Sequence, residues 1–354
     1  MDLHVLGWNS RWRDLFEPYA QDNLTPGRVV AEHRDAYRLE TEAGERTGAL
    51  GGRLRHHAER RLDLPAVGDF VSLRLPAGEG PALVDAVLPR QTVFVRRAAG
   101  DRPDDQVIAA NIDFVFVMTA LDHDMNLRRV ERYLAAVWES GASPVVLLNK
   151  TDLCDEVDGK IAQIHRVALG VNVHAISALT ADGLEAVQRY LKTGSTIGFV
   201  GSSGVGKSTL LNRLLGRDVQ TTAAVRSHDS RGRHTTTHRE LFVLPQGGLV
   251  IDTPGMREFH LSNADDGLGA VFVDIEALAA DCRFADCAHR QEPGCAVRAA
   301  VDRRELDAVR LSAYEKLLKE LRYEKSRDDP SAAFERKRQG RIASKAIKRM
   351  KAGD

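Results

Sequence analysis

The alternation of apolar and polar positions divides the chain into segments of different character. Between residues 26 and 98 short apolar runs are broken by turn residues, and Val71-Ser72-Leu73-Arg74-Leu75 alternates with the period of two that lays one face of a strand on a core. Arg28-Val29-Val30, Ala36-Tyr37-Arg38-Leu39, Ala82-Leu83-Val84 and Thr92-Val93-Phe94-Val95 are further candidate strands. About five short strands in so small a stretch predict an all-β unit, either an OB-type β-barrel or another small β-domain without a binding role. Residues 1–25 form an N-terminal extension in which Trp8, Trp12, Leu15 and Phe16 recur at near-helical spacing, the pattern of a packed cap.

From 106 to 268 the period changes. Apolar runs at Ile112 to Met118, Pro144 to Leu148, Val171 to Ile176, Thr196 to Val200 and Gly248 to Ile251 alternate with helical stretches such as Leu127 to Ser140 and Leu184 to Leu191. Continuous apolar runs separated by helices predict a mainly parallel α/β sheet covered on both faces. Ala98 to Asp105, with Gly100, Pro103 and three aspartates, reads as a linker. Residues 269–325 are helical in pattern, with Leu306 to Leu321 the longest candidate, and 326–354 form a basic tail. The expected fold class is therefore multidomain α/β plus all-β.

Composition narrows the setting. A chain of 354 residues has room for two or three domains, and 43% apolar content excludes disorder throughout. Lys plus Arg and Asp plus Glu are both 50, so net charge is silent about partners until it is located. Met1 to Trp8 lacks a basic leader followed by an apolar core, and no run is apolar enough to span a bilayer, so the expectation is a cytoplasmic protein with no membrane partner. No heptad pattern or exposed apolar strip argues for more than a monomer.

Gly201-Ser202-Ser203-Gly204-Val205-Gly206-Lys207-Ser208 matches the full phosphate-loop pattern and follows an apolar strand, with Thr209 joining it as a nucleotide-binding candidate and Leu210, Leu211, Leu214 and Leu215 marking the helix beyond. Its glycines let backbone N–H groups approach phosphate, the helix N-terminus favours negative charge, Lys207 reaches the outer phosphates and the Ser208 hydroxyl can bind Mg²⁺. Asn149-Lys150-Thr151-Asp152 ends another buried strand. The two carboxylate oxygens of Asp152 can accept from the paired donors that guanine presents and adenine lacks. Lys150 can cover the ring, Asn149 can hold the loop, and Ser177-Ala178 can offer a backbone N–H to the guanine O6. Asp252-Thr253-Pro254-Gly255 follows a third strand, placing Asp252 near the metal and the Gly255 N–H near the γ-phosphate.

Between these motifs, Gly232-Arg233-His234-Thr235-Thr236-Thr237 has the polarity of a switch segment, in which Thr236, in preference to Thr235, completes the Mg²⁺ shell. Met256 stands where many signalling GTPases carry a water-orienting glutamine. His234 is the candidate within the chain for that task, the alternative being that it holds the switch loop. The base-reading motif precedes the phosphate loop, the reverse of the ordinary GTPase order, so the set reads as a circularly permuted P-loop GTPase using GTP with Mg²⁺.

Cys282, Cys287, His289 and Cys295 offer three sulfurs and an imidazole within a short span, a closed tetrahedral set for one structural Zn²⁺, with free thiols or redox chemistry as the alternative. Cys154 stands apart as a small apolar residue. From Phe334 to Lys351, Arg336, Lys337, Arg338, Arg341, Lys345, Lys348, Arg349 and Lys351 face only Glu335. That run is either a solvated charge run or an arm that orders on RNA.

The permuted order, the Gly232 to Thr237 and Asp252 to Gly255 motifs, and Cys282-Arg283-Phe284-Ala285-Asp286-Cys287-Ala288-His289 running on to Glu292-Pro293-Gly294-Cys295 together resemble the RsgA (YjeQ-type) small-ribosomal-subunit biogenesis GTPases. The resemblance covers roughly residues 26 to 325. It implies an N-terminal OB-fold (26–98), a circularly permuted GTPase domain (106–268) and a zinc-binding helical domain (269–325). It also implies a protein that binds the small (30S) ribosomal subunit and its rRNA late in maturation, hydrolyses GTP to GDP under subunit stimulation, and leaves. Two other readings stay open: a GTP-controlled RNA-binding module whose hydrolysis is incidental, and a metallohydrolase built on the Cys/His set, against which four closed ligands argue.

Overall fold

The computed structural model describes residues 2–20, 22–33, 36–78, 80–97, 105–122, 125–217, 239–252 and 265–328. The chain divides into two compact units, Met1–His260 and Leu261–Asp354.

In the first unit, helix α1 (Ser10–Ala20) leads into β1 (Thr25–Glu32), β2 (Tyr37–Thr41), β3 (Gly44–Leu50), helix α2 (Gly52–His57), β4 (Phe70–Arg74) and β5 (Ala82–Val87). These five strands hydrogen-bond in the order β1-β2-β3-β5-β4, and β4 pairs back on β1, which closes an OB-like barrel around Val29, Leu39, Val71, Leu73 and Val84. Closure removes the unpaired edges that an open sheet this small would expose. Trp12 and Phe16 of α1 pack with Phe70 and Leu88, so the N-terminal segment is a cap.

The barrel's fifth strand differs from the expectation. Thr92 to Val95 falls in β6 (Val93–Arg97), which pairs with β7 (Asp105–Ala110) in a separate two-stranded ribbon. The missing barrel strand is β3, whose Glu45, Arg46 and Thr47 are exposed, so no apolar alternation marks it. Of the expected linker, Asp105 opens β7 and 98–104 lie outside the described residues.

The chain then builds β8 (Phe114–Ala120), α3 (Leu127–Glu139), β9 (Ser143–Asn149), a single 3₁₀ turn at Thr151–Leu153, α4 (Val157–His165), β10 (Asn172–Ala175), α5 (Leu184–Gln188), β11 (Thr196–Gly201), α6 (Lys207–Leu215), β12 (Arg239–Val243) and β13 (Leu249–Asp252). The order across this sheet is β10-β9-β8-β11-β13-β12, parallel except for the antiparallel β12–β13 pair. Parallel strands put their carboxyl ends on one edge, where ligands of open α/β sheets bind. The register fixes that edge: Gly201 lies beside Met118, Ala120 beside Asn149, and Leu148 beside Ala175.

Strand β12 also pairs with the end of β1, Ala31 opposite Glu240, so barrel and α/β sheet form one ladder of eleven strands. Arg28, 1% exposed, reinforces the joint. Its guanidinium donates to the carbonyls of Leu6, Gly68 and Asn111 and to Thr196 Oγ1 at 2.9 Å, and lies 4.7 Å over the Phe70 ring. Burial lowers its pKa to about 10 while Asp113 and Asp69 oppose the shift, so it stays charged at neutral pH. Beside it, the buried Asp69 accepts from the Ala66 N–H at 2.8 Å and from Arg90 at 2.9 and 2.8 Å, and Arg90 also donates to the carbonyls of Leu62 and Leu64.

The second unit contains α7 (Asp265–Val271), α8 (Val273–Ala279), α9 (Ala296–Asp302) and α10 (Ala308–Asp328). Phe272, Ile275, Val297 and Leu321 form its buried apolar contacts, and Arg310 lies 4.2 Å over Phe272 while pairing with Asp274 at 3.1 Å. Among the described residues no helix is long and apolar enough to cross a membrane.

The fork of hydrogen bonds at Arg90 sets an expectation. Arg90→Ala leaves the Asp69 carboxylate buried without its cation and is expected to lower stability by about 3–5 kcal/mol. Urea unfolding followed by tryptophan fluorescence measures it, since Trp8 and Trp12 both pack on Phe70 next to Asp69. Adding Asp69→Ala should recover part of the loss; a cost below about 1 kcal/mol for Arg90→Ala alone would mean the pair holds nothing in place.

Candidate functional site

The phosphate loop runs from the end of β11 to the start of α6, and the backbone explains each glycine that matters. Gly201 has φ +150, and a Cβ there would meet the Met118 carbonyl oxygen at 2.4 Å. Gly206 has φ +101, and a Cβ there would meet Asn149 Nδ2 at 2.2 Å. Between them Val205 is buried in the core under the sheet, which pins the middle of the loop while Ser203 and Gly204 stay exposed. Lys207 donates to the carbonyls of Gly201 and Ser202 at 2.7 and 2.5 Å, arching back over the loop. Ser208 and Thr209 follow in the first turn of α6.

Asn149 ends β9 and is buried. Its Nδ2 donates to the Val205 carbonyl at 2.7 Å and its Oδ1 accepts from the Ala178 N–H at 2.9 Å. One carboxamide thus joins three loops that are far apart in sequence. Lys150 takes the left-handed conformation, φ 69, and its ammonium pairs with Asp122 at 2.7 Å, which fixes the direction of its stem. The Asp152 carboxylate accepts from the Ser177 hydroxyl at 2.6 Å. Ser177 in turn accepts from the Thr180 N–H, and its own N–H donates to the Asp182 carbonyl.

Ser177 and Ala178 lie beside the base-reading loop, as their expected role requires. Within the chain their N–H groups donate to the Asp182 carbonyl and to Asn149 Oδ1, and the Ser177 hydroxyl donates to Asp152. Asp252 closes β13 opposite Glu240, at the same sheet edge as Gly201. His234, Thr235, Thr236, Gly255 and Met256 lie outside the described residues, as does the basic run from Phe334 to Lys351.

Two residues of this site carry no sequence signal. Asp122 is an acid in the turn after β8, and its ion pair with Lys150 is what marks it. Arg213, on α6, donates to the carbonyls of Ala178 and Leu179 and so braces the loop that Asn149 holds from the other side.

In the second unit Cys282, Cys287, His289 and Cys295 place one ligand atom each within 4.8 Å of the others. The Cys282 and Cys295 sulfurs are 3.9 Å apart, and His289 Nδ1 lies 3.7 and 3.5 Å from them. A tetrahedral Zn²⁺ with ordinary bond lengths requires S···S of about 3.8 Å and S···N of about 3.6 Å, so the residues fit the ion. Cys295 caps α9, and its sulfur accepts from the Arg298 N–H. Glu292 accepts from the N–H groups of Ala288, Arg290 and Gln291, shaping the turn that carries His289 at φ 58. Backbone N–H groups, its own and that of Arg290 foremost, hold the Glu292 carboxyl below the usual carboxylate range.

Comparison with known proteins places the chain among relatives of one family. Residues 87–262 match the family model described as RsgA GTPase. The chain is 49% identical over 342 residues to a small ribosomal subunit biogenesis GTPase RsgA of Opitutus terrae, covering 94% of this chain and 93% of the relative. It is 46% identical to another from Lactiplantibacillus plantarum, covering 91% of each. Among solved structures, YjeQ from Thermotoga maritima superposes with a TM-score of 0.64 at 26% identity, over 84% of this chain and 98% of that one. YloQ, described as a circularly permuted GTPase, gives 0.63 at 22% identity, over 84% and 95%, a likeness of fold.

The Asn149 bridge can be tested directly. Asn149→Ala leaves a buried carbonyl and a buried N–H unpaired and is expected to cost about 1–3 kcal/mol for each group that water cannot reach. Asn149→Asp keeps an acceptor for the Ala178 N–H but cannot donate to Val205. Hydrogen exchange should therefore show Ala178 protection lost in the alanine variant and retained in the aspartate variant; equal protection in both would refute the bridge.

Proposed function

The chain belongs to the RsgA GTPase family, and from that membership we propose that it hydrolyses GTP to GDP and phosphate while docked on a maturing small ribosomal subunit, its nucleotide held at the carboxyl edge of the α/β sheet. The observation that carries this reading is the meeting of the base-reading loop and the phosphate loop through the Asn149 side chain. Separate loops with other purposes have no reason to share a buried carboxamide.

In this reading the Gly201 to Thr209 backbone wraps the phosphates and Lys207 exchanges its loop carbonyls for phosphate oxygens, since both partners accept from the same ammonium. Asp152, held by Ser177, selects guanine, and Lys150, held by Asp122, covers the base. Asn149 positions both loops. Ser208 and Thr236 would hold Mg²⁺, with Asp252 nearby, and the ion neutralises charge on the outer phosphates when bound. The Gly255 N–H and Thr235 complete the γ-phosphate surroundings, and His234 orients the attacking water in place of the side chain that Met256 cannot supply.

The subunit is assigned as activator because the chain lacks the water-orienting glutamine of self-sufficient signalling GTPases. Turnover measured with purified small subunits, with large subunits and with neither is expected to be slow alone and to rise with small subunits only, by roughly 10³-fold or more if the missing group is supplied on docking. Equal stimulation by large subunits, or none by small ones, would overturn the ribosomal assignment.

Cys282, Cys287, His289 and Cys295 are assigned one structural Zn²⁺, since four protein ligands leave no position for a reacting water. Metal binding of this kind is folding free energy for a segment with a small apolar core. Cys287→Ser is expected to lower bound zinc in freshly purified protein and to reduce helix content by circular dichroism. Full helix content in zinc-free protein would show that the ion is not structural.

A further inference from the structure

The loop from Ser177 to Ala181 uses nearly every backbone N–H inside the chain. Ser177 donates to the Asp182 carbonyl at 2.9 Å, Ala178 to Asn149 Oδ1 at 2.9 Å, Thr180 to the Ser177 hydroxyl at 3.1 Å and Ala181 to the Ser177 carbonyl at 2.9 Å. The Leu179 N–H is the exception, with no acceptor among the described residues.

The carbonyls on either side of that group are held by a single side chain. Arg213, in the last turn of α6, donates from Nε to the Ala178 carbonyl at 3.1 Å and from Nη2 to the Leu179 carbonyl. A trans peptide carries its N–H opposite its C=O, so an Ala178 carbonyl turned onto α6 leaves the Leu179 N–H pointing away from that helix. Leu210, Leu211, Leu214 and Leu215 are buried and fix the rotation of α6 about its axis.

Stability does not account for the contact. Arg213 and Leu179 are both exposed, where water can serve a carbonyl about as well as a guanidinium can. Water cannot hold two successive carbonyls in fixed directions, whereas the planar fork of arginine can. The helix that supplies the fork begins with Lys207 at the phosphate loop. The loop that receives it also holds the base-reading carboxylate, since the Ser177 hydroxyl donates to Asp152 at 2.6 Å. Beside the donors that Asp152 can accept from, guanine presents the acceptor O6, where adenine carries an amino group that would set a donor against a donor.

We propose that Arg213 is a positioning residue for base choice, orienting the Leu179 N–H to donate to the guanine O6. The inference rests on the nucleotide site proposed above.

The test uses the full chain and measures affinity for GDP and two analogues by calorimetry. 6-Thio-GDP keeps the N1–H and the 2-amino group and replaces O6 by sulfur, a weaker acceptor. IDP keeps O6 and lacks the 2-amino group. The wild-type chain is expected to prefer GDP to both. Arg213→Ala is expected to weaken GDP and IDP by about three- to ten-fold, the worth of one hydrogen bond, and 6-thio-GDP much less. The preference for oxygen over sulfur then shrinks while the preference for the 2-amino group stays. Arg213→Lys, which keeps a donor group without the fork, should recover part of the lost preference. Amide exchange gives a second readout: the Leu179 N–H should gain protection on GDP binding in the wild type and lose most of that gain in Arg213→Ala. An equal loss of affinity for all three nucleotides, or a Leu179 amide that GDP does not protect, would overturn the proposal and leave the nucleotide site standing. A wild-type chain that binds ADP as tightly as GDP would remove the site and the proposal together.

Discussion

The side-chain amide of Asn149 is the contact on which the nucleotide face depends. It is nearly sealed from water, where a donor or acceptor without a partner is costly, and it satisfies one of each. Its geometry is therefore strict. The base-reading loop, the Ser177-Ala178 loop and the phosphate loop come from the ends of β9, β10 and β11, and they can hold their positions only if all three strands stop at matching heights. The parallel register provides that. Once it does, the order in which the chain visits the strands is immaterial, which is why a permuted sequence can build the same edge as an unpermuted one.

A second buried polar group does for the barrel what Asn149 does for the loops. Arg28 has a mostly backbone set of acceptors drawn from the N-terminal segment, the barrel, the residue after β7 and the start of β11. Its charge is tolerated because Asp69 and Asp113 lie nearby and because Phe70 offers a ring face. With the β1–β12 pairing, it makes the barrel and the α/β sheet one structural body within the first unit.

Much of this is legible in the sequence, and what is not has a common cause. Strands β8, β9, β11 and β13 read as uninterrupted apolar runs because helices or other strands cover them, and the loops at their ends carry residue types with few other uses. Strand β3 leaves no such mark because its outer residues are polar and its neighbours hold it through backbone pairing. Arg28 sits inside a strand that the pattern does predict, yet nothing local distinguishes an arginine that will be buried from one that will be solvated. Asp122 and Arg213 are likewise defined by partners that only folding brings near. Helix α4 has Ile164 as its one buried residue and leaves almost no periodic trace.

The joint between β1 and β12 also bears on synthesis. Every strand of the barrel has been made once Val87 is polymerised, so the barrel can close while the rest of the chain is still on the ribosome that is translating it. The far end of β1 cannot be completed then. Ala31 and Glu32, already paired with β2 on one side, pair on the other with residues made roughly two hundred positions later, so the nascent barrel waits with a short length of β1 open along one edge and with Arg28 lacking its Thr196 acceptor. Contacts of such sequence separation form late and slow folding. The interval is one in which the edge is open to the wrong neighbour, and the charged Glu32 at its tip is the kind of residue that discourages one.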